Sequence, residues 1–175
     1  MTNSENITIR TALPGEAPAA GQLMVQVYSS LEGFPGVAEQ PAYYALLANV
    51  GELASKPGAG LIVAAGADGR IAGAVVYFGD MQYYGSGGIA TQEKDAAGFR
   101  LLAVDPAFRG AGIGKKLVNA CITRAGKAGV KQMIIHSTHS MQTAREMYLR
   151  MGFFRAPELD FLQGELQVFG FRYLL

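Results

Sequence analysis

The residues best suited to chemistry in this sequence lie in a short glycine-rich stretch between Arg109 and Lys115. Gly110, Gly112 and Gly114 lack Cβ atoms, so the backbone there can take positive φ and approach a ligand closely. An amphipathic helix is predicted to begin at about Gly112, and its unpaired N–H groups and positive dipole end would face the same space. Such a loop is suited to binding phosphate. The alternative is a glycine-rich turn that only caps an ordinary helix.

Two nucleotide-binding fingerprints fail at this loop. A P-loop needs a glycine five residues before Gly114 and a Ser or Thr after Lys115, but the sequence has Arg109 and Lys116 there. The dinucleotide pattern G-x-G-x-x-G, started at Gly110, meets Lys115 where the third glycine belongs. The loop does match the pattern R-x-x-G-x-G, directly after an apolar run that ends Leu-Ala-Val-Asp-Pro.

This loop resembles the acetyl-CoA-binding loop of the GNAT N-acetyltransferase superfamily. A second segment, from Ala144 to Phe153, is similar to the A-x-x-x-Y-x-x-x-G-F helix of the same family and has Tyr148 at the tyrosine position. Both motifs carry the spacing that the family shows. Together they identify the chain as similar to this family over nearly its whole length.

The resemblance implies that acetyl-CoA is the cosubstrate and lies between the fourth and fifth strands. Its pyrophosphate would contact the backbone amides of the glycine loop, and its pantetheine arm the fourth strand, where family members carry a β-bulge. The N–H of Val104 would then polarise the thioester carbonyl. The cofactor-binding residues implied in this way are Leu102, Ala103, Val104, Arg109, Gly110, Ala111, Gly112, Ile113, Gly114, Lys115 and Tyr148.

Acetyl transfer to an amine requires a deprotonated nucleophile and a stabilised thiolate leaving group. An alkyl amine titrates near pH ~10.4 and a thiol near ~8.5, so a proton donor assists departure of the thiolate at neutral pH. The resemblance makes Tyr148 the candidate catalytic donor. The alternative is that Tyr148 is an aromatic core residue at helical spacing.

The general base is not identified by the sequence. Some family members have a glutamate six residues before the position of Val104, where this chain has Gly98, and many have asparagine where it has Met141. The candidates for the base are Glu32, Glu93, Asp95, His136 or a water molecule. No metal site is expected, because the pair His136 and His139 lacks the helical spacing of a zinc pair.

The elements that must position these residues follow from periodicity. Strand patterns cover residues 7–10, 60–65, 71–77, 99–104, 133–138, 153–161 and 167–173, and helical patterns cover 17–31, 41–53, 112–128 and 144–151. This order is that of the GNAT fold. We therefore expect an α/β (α+β) protein with a mixed, mostly antiparallel central sheet of about seven strands. The sheet would be splayed between strands four and five and flanked by about four helices. Residues 79–98 remain unassigned, either a functional loop or a hairpin tip.

Composition limits the remaining possibilities. A length of 175 residues predicts one domain over residues 1–175. Only 17% of residues are charged, below the roughly 25% typical of soluble domains, so we expect an uncharged interface and a homodimer. A net charge of +1 offers no surface for a nucleic-acid partner.

The N-terminal sequence MTNSENITIR lacks the apolar segment of a signal peptide, and no apolar run is long enough to span a membrane. We therefore expect a cytoplasmic protein with no membrane partner. Cys121 is the single cysteine and lies in line with apolar helix residues, so it is expected to be a small core residue.

The function predicted from the sequence is acetylation of a primary amine, on a small molecule or a peptide, by direct attack on acetyl-CoA. The alternative is a non-catalytic acyl-CoA-binding sensor module that keeps the cofactor loop but lacks the base. Tyr148 favours the enzyme, because binding alone needs no proton donor. The amine acceptor is not identified by the sequence.

Overall fold

The structure is a computed structural model and describes residues 6–175. Residues 1–5 lie outside the described residues. They belong to the N-terminal sequence in which no signal peptide is expected. One eight-stranded sheet forms the centre of the fold, with the strand order β1-β2-β3-β4-β5-β8-β6 and with β7 paired to β8. The strands are β1 (Thr8–Thr11), β2 (Ala59–Ala65), β3 (Ile71–Phe78), β4 (Ala96–Val104), β5 (Gln132–Ser137), β6 (Phe154–Arg155), β7 (Phe161–Gln163) and β8 (Leu166–Leu174).

The helices pack on both faces of this sheet. They are α1 (Ala17–Ser29), α2 (Pro41–Ala48), α3 (Val50–Ala54), α4 (Ile113–Ala128) and α5 (Gln142–Met151). One apolar cluster joins α1, α2 and α3 to the sheet, and a second joins α4 and α5 to the opposite face. Every residue of β3 is buried, as expected for a central strand covered on both faces. None of the helices in residues 6–175 is long and apolar enough to cross a membrane.

The predicted fold class is confirmed, and the differences from it are local. The structure has five helices because the predicted second helix is interrupted at Asn49, which lies between α2 and α3 and has non-helical φ and ψ of −105° and 35°. It has eight strands because Pro157 begins a 3₁₀ turn that interrupts the predicted strand over 153–161. The fourth strand begins at Ala96 rather than Phe99, since Ala96 to Gly98 pair with β5.

The unassigned segment 79–98 is mostly irregular backbone with two short 3₁₀ turns, Met81–Tyr83 and Ala90–Gln92. Asp80 caps the first turn by accepting a hydrogen bond from the Gln82 N–H. Met81 and Tyr84 are nearly fully buried, which fixes this segment against the sheet. The segment is therefore a packed connection and not an extended hairpin tip.

Candidate functional site

A gap opens in the sheet between β4 and β5. The two strands pair in parallel over only three positions, from Ala96 with Gln132 to Gly98 with Ile134, and beyond Gly98 they have no further pairing. On its other edge β4 carries a bulge, where the register with β3 shifts and Leu101 takes a φ of 64°. A bulge bends its strand and redirects backbone groups, so the second half of β4 is turned away from β5.

The bulge determines which backbone groups face the gap. Asp105 donates its N–H to the Ala72 carbonyl at 2.8 Å, and Ala103 pairs with Ala74. Because neighbouring residues in a strand direct their backbone groups to opposite sides, the N–H of Val104 faces away from β3 and towards the gap. The carbonyl of Leu102 accepts a hydrogen bond from the Tyr28 hydroxyl at 2.9 Å.

The glycine loop follows β4 and leads directly into α4. Gly110 and Gly112 have φ of 84° and 75°, a region that glycine enters at little cost. Gly112 is the N-cap of α4, and no side chain caps that end of the helix. A Cβ added at either glycine would meet no atom within 4 Å, so the loop borders open space. An uncapped helix start beside open space is suited to an anion.

A cavity of about 780 Å³ extends from this loop to α5. Three cations, Arg109, Lys115 and Arg150, lie along it, and none of the described residues that line it is acidic. The predicted cofactor residues that line it are Leu102, Val104, Arg109, Gly110, Gly112, Ile113, Gly114, Lys115 and Tyr148, whereas Ala103 and Ala111 do not. We call this cavity the glycine-loop groove. Its volume, positive charge and backbone donors suit a large ligand with several phosphates.

Tyr148 lies on α5 at the inner end of the glycine-loop groove. Its side chain is only 5% exposed and packs edge-on against Phe99, so it has the core contacts expected of a buried aromatic. Burial raises the pKa of its hydroxyl well above the usual range, with smaller contributions from Tyr84 and Cys121. No hydrogen bond of this hydroxyl contributes to that shift, in contrast to Tyr84, whose hydroxyl is bonded to His136. Tyr148 therefore stays protonated across the working pH range.

A second cavity, of about 610 Å³, lies between β4, β5 and the first two helices. We call it the aromatic cavity because Tyr28, Phe34, Tyr43, Tyr84, Phe99, Tyr148 and Phe161 all line it. It meets the glycine-loop groove at the gap in the sheet. The residues that line both are Tyr28, Leu102, Met141 and Tyr148.

Gly98, where some relatives would have a glutamate, is closely packed in this chain. A Cβ at this position would lie 2.6 Å from the Ile134 carbonyl oxygen, 3.0 Å from a ring carbon of Tyr84 and 3.1 Å from the Met81 sulfur. Contacts this short leave no room for a longer side chain. The Tyr84 ring therefore occupies the space that a carboxylate at this position would need.

Tyr84 and His136 form a hydrogen-bonded pair in the wall of the aromatic cavity. The His136 Nε2 lies 3.0 Å from the Leu159 carbonyl, which can only accept, so Nε2 carries the hydrogen. Nδ1 then accepts from the Tyr84 hydroxyl at 3.0 Å. Burial lowers the pKa of His136 to about 4. The imidazole is therefore neutral near pH 7, with both nitrogens already bonded.

The three carboxylates named as base candidates lie outside both cavities. Glu93 forms an ion pair with Arg172 at 2.7 Å, and Glu32 and Asp95 are exposed. Among the described residues, no three His, Cys, Asp or Glu side chains come together in a group that could hold a metal ion. Of the candidate side chains, only His136 lines a cavity.

Several lining residues were not predicted from the sequence. Tyr28 and Tyr43 read as members of apolar helical stripes, Tyr84 lay in the unassigned segment, and Arg100 lay within a predicted strand. Arg150 lies in the last turn of α5, where a cation is favourable for any helix. The one sequence feature that could have pointed to an aromatic wall, the tyrosines and phenylalanines of residues 28–44, was not used in the prediction.

Solved structures of several acetyltransferases share the fold of this chain. Among solved structures, a GNAT-family acetyltransferase from Staphylococcus aureus superposes with a TM-score of 0.73 at 15% identity, covering 97% of this chain and 99% of that chain. A GCN5-related N-acetyltransferase from Kribbella flavida has a TM-score of 0.69 at 21% identity, with coverage of 98% and 99%. The yncA protein of Salmonella typhimurium, solved with acetyl-CoA as its cofactor, has a TM-score of 0.66 at 18% identity, with coverage of 97% and 94%.

At these identities the structural matches show a shared fold. No sequence among the curated proteins matches the chain. The model of the Acetyltransferase (GNAT) family, however, matches residues 24–153, which is well over half of the sequence and includes both motifs and most of the residues that line the two cavities. The chain therefore belongs to the GNAT acetyltransferase family.

Proposed function

We propose that this protein is an N-acetyltransferase that moves the acetyl group of acetyl-CoA to a primary amine of a small molecule or peptide by direct attack. The observation that carries the proposal is the meeting of two cavities at the gap between β4 and β5. Direct transfer needs a donor site and an acceptor site that share only the reacting centre. Here the two cavities share four residues, one of which is Tyr148.

The glycine-loop groove is the proposed acetyl-CoA site. Family membership supports this cosubstrate, and the yncA protein, which shares the fold, was solved with it. The amides from Gly110 to Lys115 would bind the pyrophosphate, with Arg109, Lys115 and Arg150 adding positive charge. The edge of β4 at Leu102 and Val104, which is not paired with β5, would bind the pantetheine arm.

The reacting centre would lie beside Val104 and Tyr148. The N–H of Val104 would donate to the thioester oxygen as negative charge develops there, an effect typically worth roughly 3 kcal/mol. The amine nitrogen forms a bond to the carbonyl carbon as the carbon–sulfur bond breaks. Tyr148 would give its proton to the departing sulfur and regain one from solvent, and the products are an N-acetyl amine and free CoA.

Water is the proposed acceptor of the amine's proton. No acidic residue is among the described residues that line the aromatic cavity, and both nitrogens of His136 are bonded. A histidine with a pKa of about 4 is also too weak a base to hold a proton near neutral pH. The reaction would therefore use amine that is already neutral when it reaches the reacting centre.

The test is a binding measurement followed by a transfer measurement on the same protein. Acetyl-CoA at a hundredfold excess over its dissociation constant should stabilise the fold by about 2.7 kcal/mol. ATP and NAD should stabilise it much less. A panel of amines monitored by release of free thiol should then show transfer. Equal stabilisation by ATP would contradict the donor site, and tight acetyl-CoA binding without transfer to any amine would favour a sensor.

A further inference from the structure

We propose that the amine acceptor also carries a carboxylate, and that Arg100 binds this carboxylate in the aromatic cavity. The proposal rests on the proposed function, because it names the chemical class of the acceptor for that same site. Arg100 lies on β4 next to the bulge at Leu101 and lines the aromatic cavity. The proposal makes Arg100 a determinant of substrate specificity.

The hydrogen-bonding capacity of Arg100 is largely unused. Its guanidinium makes one hydrogen bond within the described residues, to the Tyr84 carbonyl at 3.0 Å, although a guanidinium has five N–H donors. No carboxylate of the described residues lies within ion-pair distance of it. Four other arginines do bind carboxylates of the protein, namely Arg10, Arg70, Arg155 and Arg172.

Arg100 is the only formal charge among the described residues that line the aromatic cavity at neutral pH. Those residues include no aspartate, glutamate or lysine, and burial keeps His136 neutral because its pKa is about 4. A guanidinium in a largely apolar cavity is expected to recruit an anionic partner, and planar carboxylates suit its fork of donors. A polycationic acceptor such as a polyamine or an aminoglycoside would be repelled.

The same charge would favour the reactive form of the acceptor. An amino acid's carboxylate raises the pKa of its own amine, and pairing that carboxylate with Arg100 would offset this effect and raise the fraction of amine that is neutral. The acceptor's own carboxylate would be held by Arg100 at the same time. This arrangement would compensate in part for the absence of a carboxylate base.

The other residues that line the aromatic cavity indicate what kind of side chain the acceptor carries. Aromatic rings surround the cavity and suit an apolar body. Ser137 and Thr138, which are only 2% and 4% exposed, also line it, and their hydroxyls have no hydrogen-bond partner within the described residues. Both hydroxyl oxygens are almost inaccessible from the cavity, so they belong to its wall and offer the acceptor no direct contact. Together these features fit an amino acid with an apolar side chain.

The experiment compares matched acceptors that differ only in the carboxylate. Phenylalanine, leucine and methionine are each assayed beside the corresponding amino-acid amide, with spermidine as a polycation. The amide has the lower amine pKa and is intrinsically the more available nucleophile, so any preference for the acid must come from binding. We expect kcat/KM for the best acid to exceed that of its amide by roughly 10- to 100-fold, the range of a charged hydrogen-bonded contact.

Variants at Arg100 assign the preference to this residue. Arg100→Gln should remove the preference for the acid, and Arg100→Lys should keep part of it because the charge remains. Arg124→Gln is the matched control, since Arg124 lies outside both cavities, over the Tyr77 ring, and bonds Thr11. Calorimetric binding of each acid and amide to the same variants, without acetyl-CoA, gives a readout that does not depend on catalysis.

Equal kcat/KM for acids and amides, or an acid preference that survives in Arg100→Gln, would overturn the proposal. Tight binding of acids that depends on Arg100 but is followed by no transfer would support the carboxylate site and contradict the proposed acetyltransferase activity. Transfer to spermidine in preference to the acids would contradict the carboxylate site while supporting the activity. The two proposals therefore fail in different ways.

Discussion

The glycine-loop groove and the aromatic cavity meet at one gap but are built in different ways. The groove presents backbone amides and a few cations from two continuous segments, one following β4 and one along α5. The aromatic cavity is built from side chains of α1, α2, β4, β5, β7, β8 and the segment after β3. Residues distant in the sequence therefore determine which molecule the cavity accepts.

Recognition by backbone groups and recognition by side chains depend on different extents of the chain. A backbone site depends on local conformation, which glycines and a helix start determine within a few residues. A side-chain site depends on the packing of the whole domain, and its residues also have core roles. Four variants test whether this division holds, beginning with the residue at the junction of the two cavities.

Tyr148→Phe should have the largest effect, because Tyr148 lines both cavities and its hydroxyl is the proposed proton donor. The variant keeps the ring and its packing against Phe99. Turnover should fall by roughly 10²- to 10⁴-fold, the usual contribution of general acid catalysis, with little change in acetyl-CoA affinity. The deficit should shrink at high pH, where a departing thiolate needs a proton least. Steady-state kinetics from pH 6 to 10 measures it.

Tyr77→Phe provides the control for this substitution. The Tyr77 hydroxyl is buried without a partner in the described residues, and it lies outside both cavities. Its removal should leave turnover unchanged. If Tyr148→Phe also turns over at the rate of the unaltered protein across the pH range, Tyr148 is a packing residue and the leaving group is protonated by water.

Gly112→Asp tests the backbone site alone. The change places a negative charge at the uncapped start of α4, where phosphate is expected, and imposes a side chain at a φ of 75°. The stabilisation by acetyl-CoA of about 2.7 kcal/mol at hundredfold excess should be lost. For a chain of this size that corresponds to a loss of roughly 5 to 10 °C in the ligand-induced shift of melting temperature.

Gly129→Asp is the matched control for backbone strain. Gly129 has a φ of 77°, and a Cβ there would meet no atom within 4 Å, as at Gly112, but it caps the far end of α4. Both variants should be less stable without ligand. Only Gly112→Asp should lose the response to acetyl-CoA. A normal response in Gly112→Asp would mean that the helix start does not bind the cosubstrate.

The glycine-loop groove was more predictable from the sequence than the aromatic cavity, because local conformation can be predicted from neighbouring residues and long-range packing cannot. The loop at residues 109–115 was identified because its glycine spacing indicates an unusual backbone conformation and matches a family motif, and the order of strands and helices along the chain followed from the apolar periodicity. Tyr84 and Arg100 were not identified, because which side chains meet across a fold depends on strand register and on the bulge at Leu101. The tight packing over Gly98 likewise became visible only with Tyr84 in place.

His136 should make the free energy of unfolding depend on pH, because folding buries its imidazole in the neutral form. Its pKa falls from 6.5 to about 4 on folding, so the unfolded chain binds a proton first as pH drops. The stability that His136 contributes is complete above pH ~6.5 and is lost as pH falls towards 4. Between pH 7 and pH 5 the loss should be about 2 kcal/mol, measured by urea unfolding.

His136→Gln should flatten this part of the stability profile. His139→Gln is the control, since His139 is exposed and is the other histidine of the chain. The carboxylates with lowered pKa, such as Asp160, begin to lose their contribution only below this window. A profile for His136→Gln that matches the unaltered protein would show that His136 is not buried as a neutral group. Turnover should show no inflection from His136 above pH 5.

Tyr28→Phe should have the smallest effect. Tyr28 lines both cavities, so the variant tests the contact between them. The Tyr28 hydroxyl donates to the Leu102 carbonyl at 2.9 Å, and that carbonyl belongs to the strand edge where the pantetheine arm is expected. Without ligand the variant should lose about 1 kcal/mol of stability, as is usual for one buried hydrogen bond. With acetyl-CoA bound, an N–H of the pantetheine arm could donate to the same carbonyl and restore part of that loss.

The response to ligand distinguishes this effect from simple destabilisation. Tyr44→Phe removes a similar hydrogen bond, from the Tyr44 hydroxyl to the Pro35 carbonyl at 2.7 Å, at a residue that lines neither cavity. Both variants should melt earlier without ligand. Only in Tyr28→Phe should the stabilisation by acetyl-CoA exceed that of the unaltered protein. Equal stabilisation in both variants would mean that the Leu102 carbonyl takes no part in binding, and that Tyr28 serves only the aromatic cavity.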